Sequence, residues 1–178
     1  MVDINKSLLN KNNFRLLIDK VPTVEYYVQS VNIPGLQFTE VNQPFGIGVD
    51  AFFPGDKVTF DALSVTFLVD EDLENFKEMY DWMQAIVPVS SSSDFQSFVD
   101  SQKTTTGELS NINSDLNQYS QITLITNTNK NIPNKYFRFY DCFPISLGGL
   151  ELLSGSESET VTCTVEFRFT YYDIKTTS

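Results

Sequence analysis

The hydrophobic period of the chain changes at Asp70. Before it, Leu63, Val65 and Phe67 alternate with smaller or polar residues, and this period of two predicts a largely buried strand. After it, apolar residues recur at steps of three and four, which predicts a helix over about 70–87. The stripe expected to face the core consists of Leu73, Phe76, Tyr80 and Met83, and Met79, Trp82 and Ile86 widen it.

Alternation elsewhere predicts a mainly β protein of the α+β class, an antiparallel β-sandwich or barrel flanked by this one α-helix. Near the N-terminus we expect strands over 13–20 and 24–31, joined as a hairpin. In the last third we expect strands over 122–126 and 135–143. The clearest alternation predicts one long strand over 160–172, with an apolar face for the core and a Thr-rich face for solvent.

The segment 36–54 is extended in character, but its apolar residues would lie on both faces of a strand. Gly46 and Gly48 loosen it, and a turn is expected directly after it, at 54–57. We interpret 36–54 as an arm that pairs with a neighbouring subunit, and a covered edge strand within the monomer is the alternative. The candidate interface residues are Phe45, Ile47, Val49, Phe52 and Phe53.

A polar stretch follows the predicted helix. Of the thirty residues from 89 to 118, fourteen are Ser, Thr or Asn, which predicts a surface insertion. The length of 178 residues suits one domain with a substantial core, so we expect a single domain over 1–178.

Side chains for catalysis are scarce. The chain has no His, which removes the commonest general base and the usual metal ligand. Gly46–Ala51 matches the dinucleotide pattern G-x-G-x-x-A, but no helix pattern begins there to hold a pyrophosphate. Cys142 and Cys163 are the two cysteines, and we expect buried free thiols. We therefore predict no catalytic, cofactor-binding or metal-binding residues, and a protein that is not an enzyme.

The formal net charge is −11, and the acidity lies in the middle of the chain. Residues 21–100 carry thirteen acidic and two basic side chains, which argues against ordinary nucleic-acid binding by phosphate neutralisation. No apolar run reaches the roughly 18 residues of a membrane span, and Met1–Ser7 lacks the features of a signal peptide. We expect a protein without membrane insertion that is made and kept in the cytosol.

The order of these elements resembles the tail tube protein family of contractile-tailed bacteriophages. The resemblance rests on the arm, on Pro54–Asp61 leading into the central strand and helix, and on Tyr140–Pro144 followed by a long alternating strand. It covers roughly 13–87 and 119–173. It implies a β-barrel or sandwich that assembles into hexameric rings, which stack inside a sheath and surround a channel for DNA.

The same resemblance implies roles for particular segments and partners. The arm would reach an adjacent subunit, and the expected partners are further copies of the chain, the sheath, and baseplate or neck proteins of a virion tail assembled in the host cytoplasm. DNA would slide past a channel wall poor in Lys and Arg, and Asp50 and Glu166 are the candidate wall acids. The stretch 89–118 is longer than the family's usual connection, so a baseplate tube initiator or a tube terminator is an alternative to the repeating subunit.

Two further alternatives stay open. A secretion-system tube subunit would have a similar fold. A monomeric β-sandwich that binds carbohydrate would use Tyr136, Tyr140 and Tyr172 as aromatic platforms.

Overall fold

A computed structural model describes residues 8–44, 46, 48–87, 118–154 and 160–176. Within these residues the chain is mainly β, with one α-helix, so the predicted fold class is confirmed. The strands are β1 (Phe14–Ile18), β2 (Val28–Asn32), β3 (Leu36–Pro44), β4 (Asp50–Phe60), β5 (Leu63–Leu68), β6 (Ser120–Asn127), β7 (Pro133–Leu147), β8 (Thr162–Arg168) and β9 (Tyr171–Thr176). The helix α1 covers Glu74–Ile86, and a 3-10 helix covers Pro22–Tyr27. Phe45, Ile47 and residues 89–117 of the predicted insertion lie outside the described residues.

Seven strands form one curved antiparallel sheet in the order β1-β6-β7-β8-β5-β2, with β9 also pairing with β7. The 15-residue strand β7 belongs to both halves of this sheet, since its first half pairs with β6 and β9 and its second half pairs with β8. The register against β6 shifts between Phe139 and Cys142, and Asp141 within this bulge has a φ of 55°. The bulge bends β7 from one half of the sheet into the other.

The core lies between the two halves of the sheet and is closed by α1. Alternate residues of β5 and β8 point into it, as the period of two predicts, and Phe67 and Phe167 are fully buried. Phe139 of β7 joins them, and Trp82 of α1 packs 5.9 Å from Phe167 between ring centroids. Truncation of such a ring to Ala typically costs about 3–5 kcal/mol of stability, so these rings anchor the fold.

The predicted core-facing stripe of α1 is wrong, because the buried face lies one residue earlier along the helix. The buried positions are Asn75, Met79, Trp82 and Ala85. Leu73 precedes the helix in a left-handed conformation with a φ of 58°, and both Leu73 and Tyr80 are exposed, at 45% and 48%. Phe76 and Met83 are half-buried at the edge.

Asn75 provides the physical reason for this rotation. Its Nδ2 donates to the carbonyl of Leu68 at 2.8 Å, and its Oδ1 accepts from the N–H of Asp70 at 3.3 Å. These bonds hold the start of the helix against the end of β5 and turn Asn75 inward. A helix advances about 100° per residue, so the buried face moves by that angle from the apolar stripe.

The expected N-terminal hairpin is also wrong. β1 pairs with β6, and β2 pairs with β5, so the two strands lie in opposite halves of the sheet. The 3-10 helix between them begins at Pro22, whose fixed φ suits a first helical position, and it buries Val24. This turn carries the chain across the core before β2 begins.

The predicted strand over 160–172 is two strands, β8 and β9, which pair with different halves of the sheet. The alternation shifts by one residue at the corner, because Phe169 and Tyr172 both pack against the core although they are three residues apart, and Tyr171 is exposed. With Phe60 and Phe139 they form an aromatic cluster whose ring centroids lie 5.1–6.0 Å apart. One strand with a period of two cannot show such a shift, which is why the sequence pattern missed the corner.

Strands β3 and β4 form a separate two-stranded sheet, here called the arm. The expected turn at 54–57 is wrong, since β4 runs through it to Phe60. Instead the arm has a bulge there, with Phe38 opposite Val58 but Glu40 opposite Pro54. A Cβ on Gly55 would lie 2.5 Å from the carbonyl oxygen of Thr39, so only Gly permits this close approach.

Replacing Gly55 by Ala should therefore loosen the arm and leave the core intact. We expect amide hydrogen exchange in β3 and β4, measured on the timescale of seconds, to accelerate by about 5- to 150-fold, the equivalent of about 1–3 kcal/mol of overpacking. Exchange in β5 and β8 should not change. Gly149→Ala is the matched control, because nothing lies within 4 Å of its added Cβ. Unchanged exchange in the arm of Gly55→Ala would contradict this account of the bulge.

Candidate assembly surfaces

The arm exposes apolar side chains on both of its faces. All nine residues of β3 are exposed. Val41 lies opposite Phe53, and the next pair, Asn42 and Phe52, points to the other face. Of the candidate interface residues within the described chain, Val49 is 73% exposed, Phe52 63% and Phe53 49%. Leu36, Phe38, Val41 and Val58 add to this surface.

The arm is anchored to the core at its base. There the ring of Phe60 packs 5.4 Å from those of Phe169 and Tyr172, and its carbonyl accepts a 3.2 Å hydrogen bond from Nη1 of Arg168. β4 has 11 residues, and at a rise of about 3.3 Å per residue its far end lies roughly 30 Å from this base. Side chains of the core cannot cover an apolar surface at that distance.

A second surface is the polar face formed by β2, β5 and β8. The hydroxyl oxygens of Thr66 and Thr164 lie 3.0 Å apart on neighbouring strands, and Ser64 lies opposite Glu166. The polar outward-facing residues are Ser30, Asn32, Ser64, Thr66, Thr162, Thr164, Glu166 and Arg168, and the half-buried Leu68 lies on the same face. Hydroxyl and amide groups therefore dominate this face, and the guanidinium of Arg168 is hydrogen-bonded to the base of the arm.

The two candidate wall acids are not brought together within one subunit. Glu166 is exposed on the polar face. Asp50 lies at the far end of the arm, where its Oδ2 accepts a 3.2 Å hydrogen bond from Nδ2 of Asn42. They belong to different surfaces.

A third surface was not predicted from the sequence, and we call it the groove. It lies between α1 and the second half of β7 and has a volume of about 710 Å³. Tyr80, Val87 and Ile145 are exposed at its edges. The other lining residues are Phe76, Met83, Gln84, Ile86, Phe143, Pro144, Leu147, Gly148 and Gly149. The sequence does contain a signal for this groove. The apolar surface of α1 is two stripes wide, whereas packing against one sheet requires a single stripe.

The tyrosines proposed as a carbohydrate platform are not assembled into one. Tyr172 is half-buried in the aromatic cluster. Tyr140 stacks on Tyr171 with ring centroids 4.6 Å apart, so one face of its ring is already covered.

The two cysteines are free and buried, as expected. Burial raises the pKa of the Cys142 thiol to about 12, and burial likewise raises the pKa of Cys163. In the described part of the chain, no group of three or more His, Cys, Asp or Glu side chains is placed to hold a metal ion. None of the described helices is long and apolar enough to span a membrane.

Comparison with known proteins identifies relatives of this chain. It is 39% identical over 80 residues to the tail tube terminator protein of Enterobacteria phage T4. That alignment covers 42% of this chain and 45% of the phage T4 protein, so the chain matches less than half the length of this curated relative.

Two solved structures share the fold over nearly the whole chain. The tube-terminating cap of the anti-feeding prophage has a TM-score of 0.55 at 11% identity, over 98% of this chain and 95% of the cap chain. The sheath/tube terminator of the extracellular contractile injection system PVC has a TM-score of 0.54 at 11% identity, over 96% and 98% of the two chains.

A protein-family model matches far more of the sequence than the alignment to the phage T4 protein does. The family model described as phage tail tube protein matches residues 4–175. It therefore includes the arm, α1 and all of the curved sheet except Thr176, the last residue of β9. The chain belongs to the phage tail tube protein family.

Proposed function

We propose that this protein forms a closed ring, with six subunits as the sequence resemblance implies, and that the ring terminates the tail tube of a contractile phage. The exposed apolar surface of the arm carries the proposal of a ring. The likeness to the phage T4 tail tube terminator protein supports the terminal position. The initiator, the repeating tube subunit and the secretion-system tube subunit are the alternatives.

The arm is suited to a ring of head-to-tail contacts. An isolated two-stranded hairpin is marginally stable in water, so the arm needs a further surface to pack against. An arm that contacts one neighbour while its own subunit receives the arm of another neighbour makes a head-to-tail contact, whereas two arms exchanged between the same two copies make a two-fold dimer. Head-to-tail contacts repeat from copy to copy and close into a ring when the rotation permits.

The polar face supports a channel wall. Duplex DNA carries about one charge per 1.7 Å of axis and binds surfaces that neutralise its phosphates. The outward residues of β2, β5 and β8 include no Lys, and the one Arg among them is bonded to a carbonyl. We place Glu166 on this wall, and Asp50 would reach it through the arm of a neighbouring copy. DNA would then pass without specific binding.

The proposal also concerns partners and place. The solved terminator that shares this fold is described as a sheath/tube terminator, which supports contact of this protein with a sheath. The baseplate or neck, the virion tail as location and assembly in the host cytoplasm follow from the same role.

Charged residues on the arm should abolish ring formation. For the double variant Val49→Asp and Phe52→Asp we expect a monomer mass in light scattering, where the unchanged protein gives six times the 20.2 kDa subunit and rings in negative-stain images. Thermal stability should change little, because the arm is outside the core. Leu152→Asp with Leu153→Asp, also exposed and apolar, is the matched control. Rings formed by the arm variant, or a monomeric unchanged protein, would defeat the proposal.

A terminator and a tube subunit differ in what the purified protein builds. We expect discrete rings at high protein concentration, because a terminator must not present the next ring with a surface for growth. Electron micrographs that show long stacked tubes would instead assign the chain to the repeating subunit and leave the ring proposal intact.

New Lys residues on the polar face should create DNA binding that the unchanged ring lacks. Each Thr164→Lys ring would present one added cation per subunit to the channel. We expect fluorescence anisotropy to show binding of a short DNA duplex. The logarithm of the binding constant should fall with the logarithm of the salt concentration, with a slope of about −0.9 for each phosphate contacted. Gln121→Lys, an exposed change on β6 away from the polar face, is the control. Equal affinity of both variants would argue against this face as the channel wall.

A further inference from the structure

The arm requires an acceptor of particular size and chemistry. Three of its four described Phe side chains, Phe38, Phe52 and Phe53, are half to two-thirds exposed. At about 200 Å² for each ring, these and the neighbouring aliphatic side chains offer on the order of 600 Å² of apolar surface. A standard interface buries about 800 Å² per partner, so the arm alone can supply most of one side.

The groove has the matching chemistry. One wall is the outer stripe of α1 with Tyr80 and Met83, and the other is the part of β7 that contains Phe143 and Ile145. Its polar groups are paired with each other, as Nε2 of Gln84 donates to the hydroxyl of Tyr80 at 2.6 Å. A volume of about 710 Å³ accommodates several side chains, and its lining includes no ionisable carboxylate, Lys or Arg.

Another cleft of about 510 Å³ lies beside β1 and β2, but its lining differs. Its lining mixes apolar side chains with the Lys11 ammonium group and the side-chain amides of Asn10, Asn13, Gln29 and Asn32. Apolar side chains of an arm would leave such amides without hydrogen-bond partners, at a cost that offsets the burial. The groove is the better acceptor.

The arm of the same subunit cannot fill its own groove. Phe143 at one end of the groove lies opposite Arg168 in the sheet, and Arg168 holds the base of the arm at Phe60. The far half of the arm is therefore tens of ångströms from the groove of its own subunit. Only a hairpin folded back on itself would reach it, and β3 and β4 stay paired from Leu36 to Pro44.

We infer that the arm of each copy docks in the groove of a neighbouring copy, with the pair Val41 and Phe53 seated between α1 and β7. This inference rests on the proposed ring and names the surface that receives the arm. Every subunit then gives one arm and receives one, so a closed ring leaves neither surface bare.

Crosslinking between copies tests this contact. Phe53→Cys and Tyr80→Cys variants are mixed, assembled and treated with a short bismaleimide. The native Cys142 and Cys163 are buried and have raised pKa values, so they react slowly compared with the added thiols. We expect a covalent dimer from the mixture and none from either variant alone. In the double variant we expect a ladder of covalent species up to the full ring.

The matched control replaces the groove thiol by one elsewhere. Lys130→Cys is exposed in the turn between β6 and β7, and its mixture with Phe53→Cys should give no dimer. Rings that form without a Phe53–Tyr80 crosslink would overturn the inference and leave the proposed ring standing. A crosslink within single chains of the double variant would overturn the inference too. So would a Tyr80→Cys thiol that is already protected in the monomer, because the groove would then not be open to the arm of a neighbour.

Coupling between the two surfaces gives a second, independent measurement. Phe53→Ala and Met83→Ala should each raise the concentration needed for ring formation by tenfold or more. The double variant should be little worse than the poorer single variant, because both changes remove the same contact. Effects that multiply would show that the two residues act separately and would reject the docking.

Discussion

The architecture depends on one strand, β7, serving both halves of the sheet. Its bulge at Asp141 allows the first half to pair with β6 and β9 while the second half pairs with β8. The same bend closes the core around Phe139 and sets the second half of β7 beside α1, which creates the groove. A straight β7 would open the core and remove the groove together.

The aromatic cluster at the corner between β8 and β9 links the core to the arm. Phe60 is the last residue of β4, and its ring lies among Phe169 and Tyr172, which belong to the interior. The hydrogen bond from Arg168 to its carbonyl fixes the same point. Packing thus ties the base of the arm to the core, while the far end of the arm is exposed. A rigid base gives the exposed end a defined direction.

The sequence predicted the fold class because the period of two is strong wherever one face of a strand is buried, as in β5 and β8. It also predicted an extended segment with apolar residues on both faces, and Val49, Phe52 and Phe53 are exposed there. Their role as an intersubunit surface stays a prediction. Pairing was harder to predict. An alternating pattern does not specify which strand is the partner, as the crossing between β1 and β2 shows. The corner after β8 changes both the partner and the face that meets the core. The buried face of α1 depended on a polar residue, Asn75, which an apolar stripe cannot reveal. The groove needed the positions of α1 and β7 in space.

The bare far end of the arm affects how subunits of this kind come together. In any open chain of head-to-tail copies, one arm remains uncovered at one end, however many copies have joined. Joining the two ends of the chain of copies buries this last apolar surface without adding another molecule. The closing step therefore gains a contact without the loss of translational and rotational entropy that binding a free subunit would cost. Incomplete arcs should consequently be scarce at equilibrium, and the completed circle should be the species that persists when the protein is diluted.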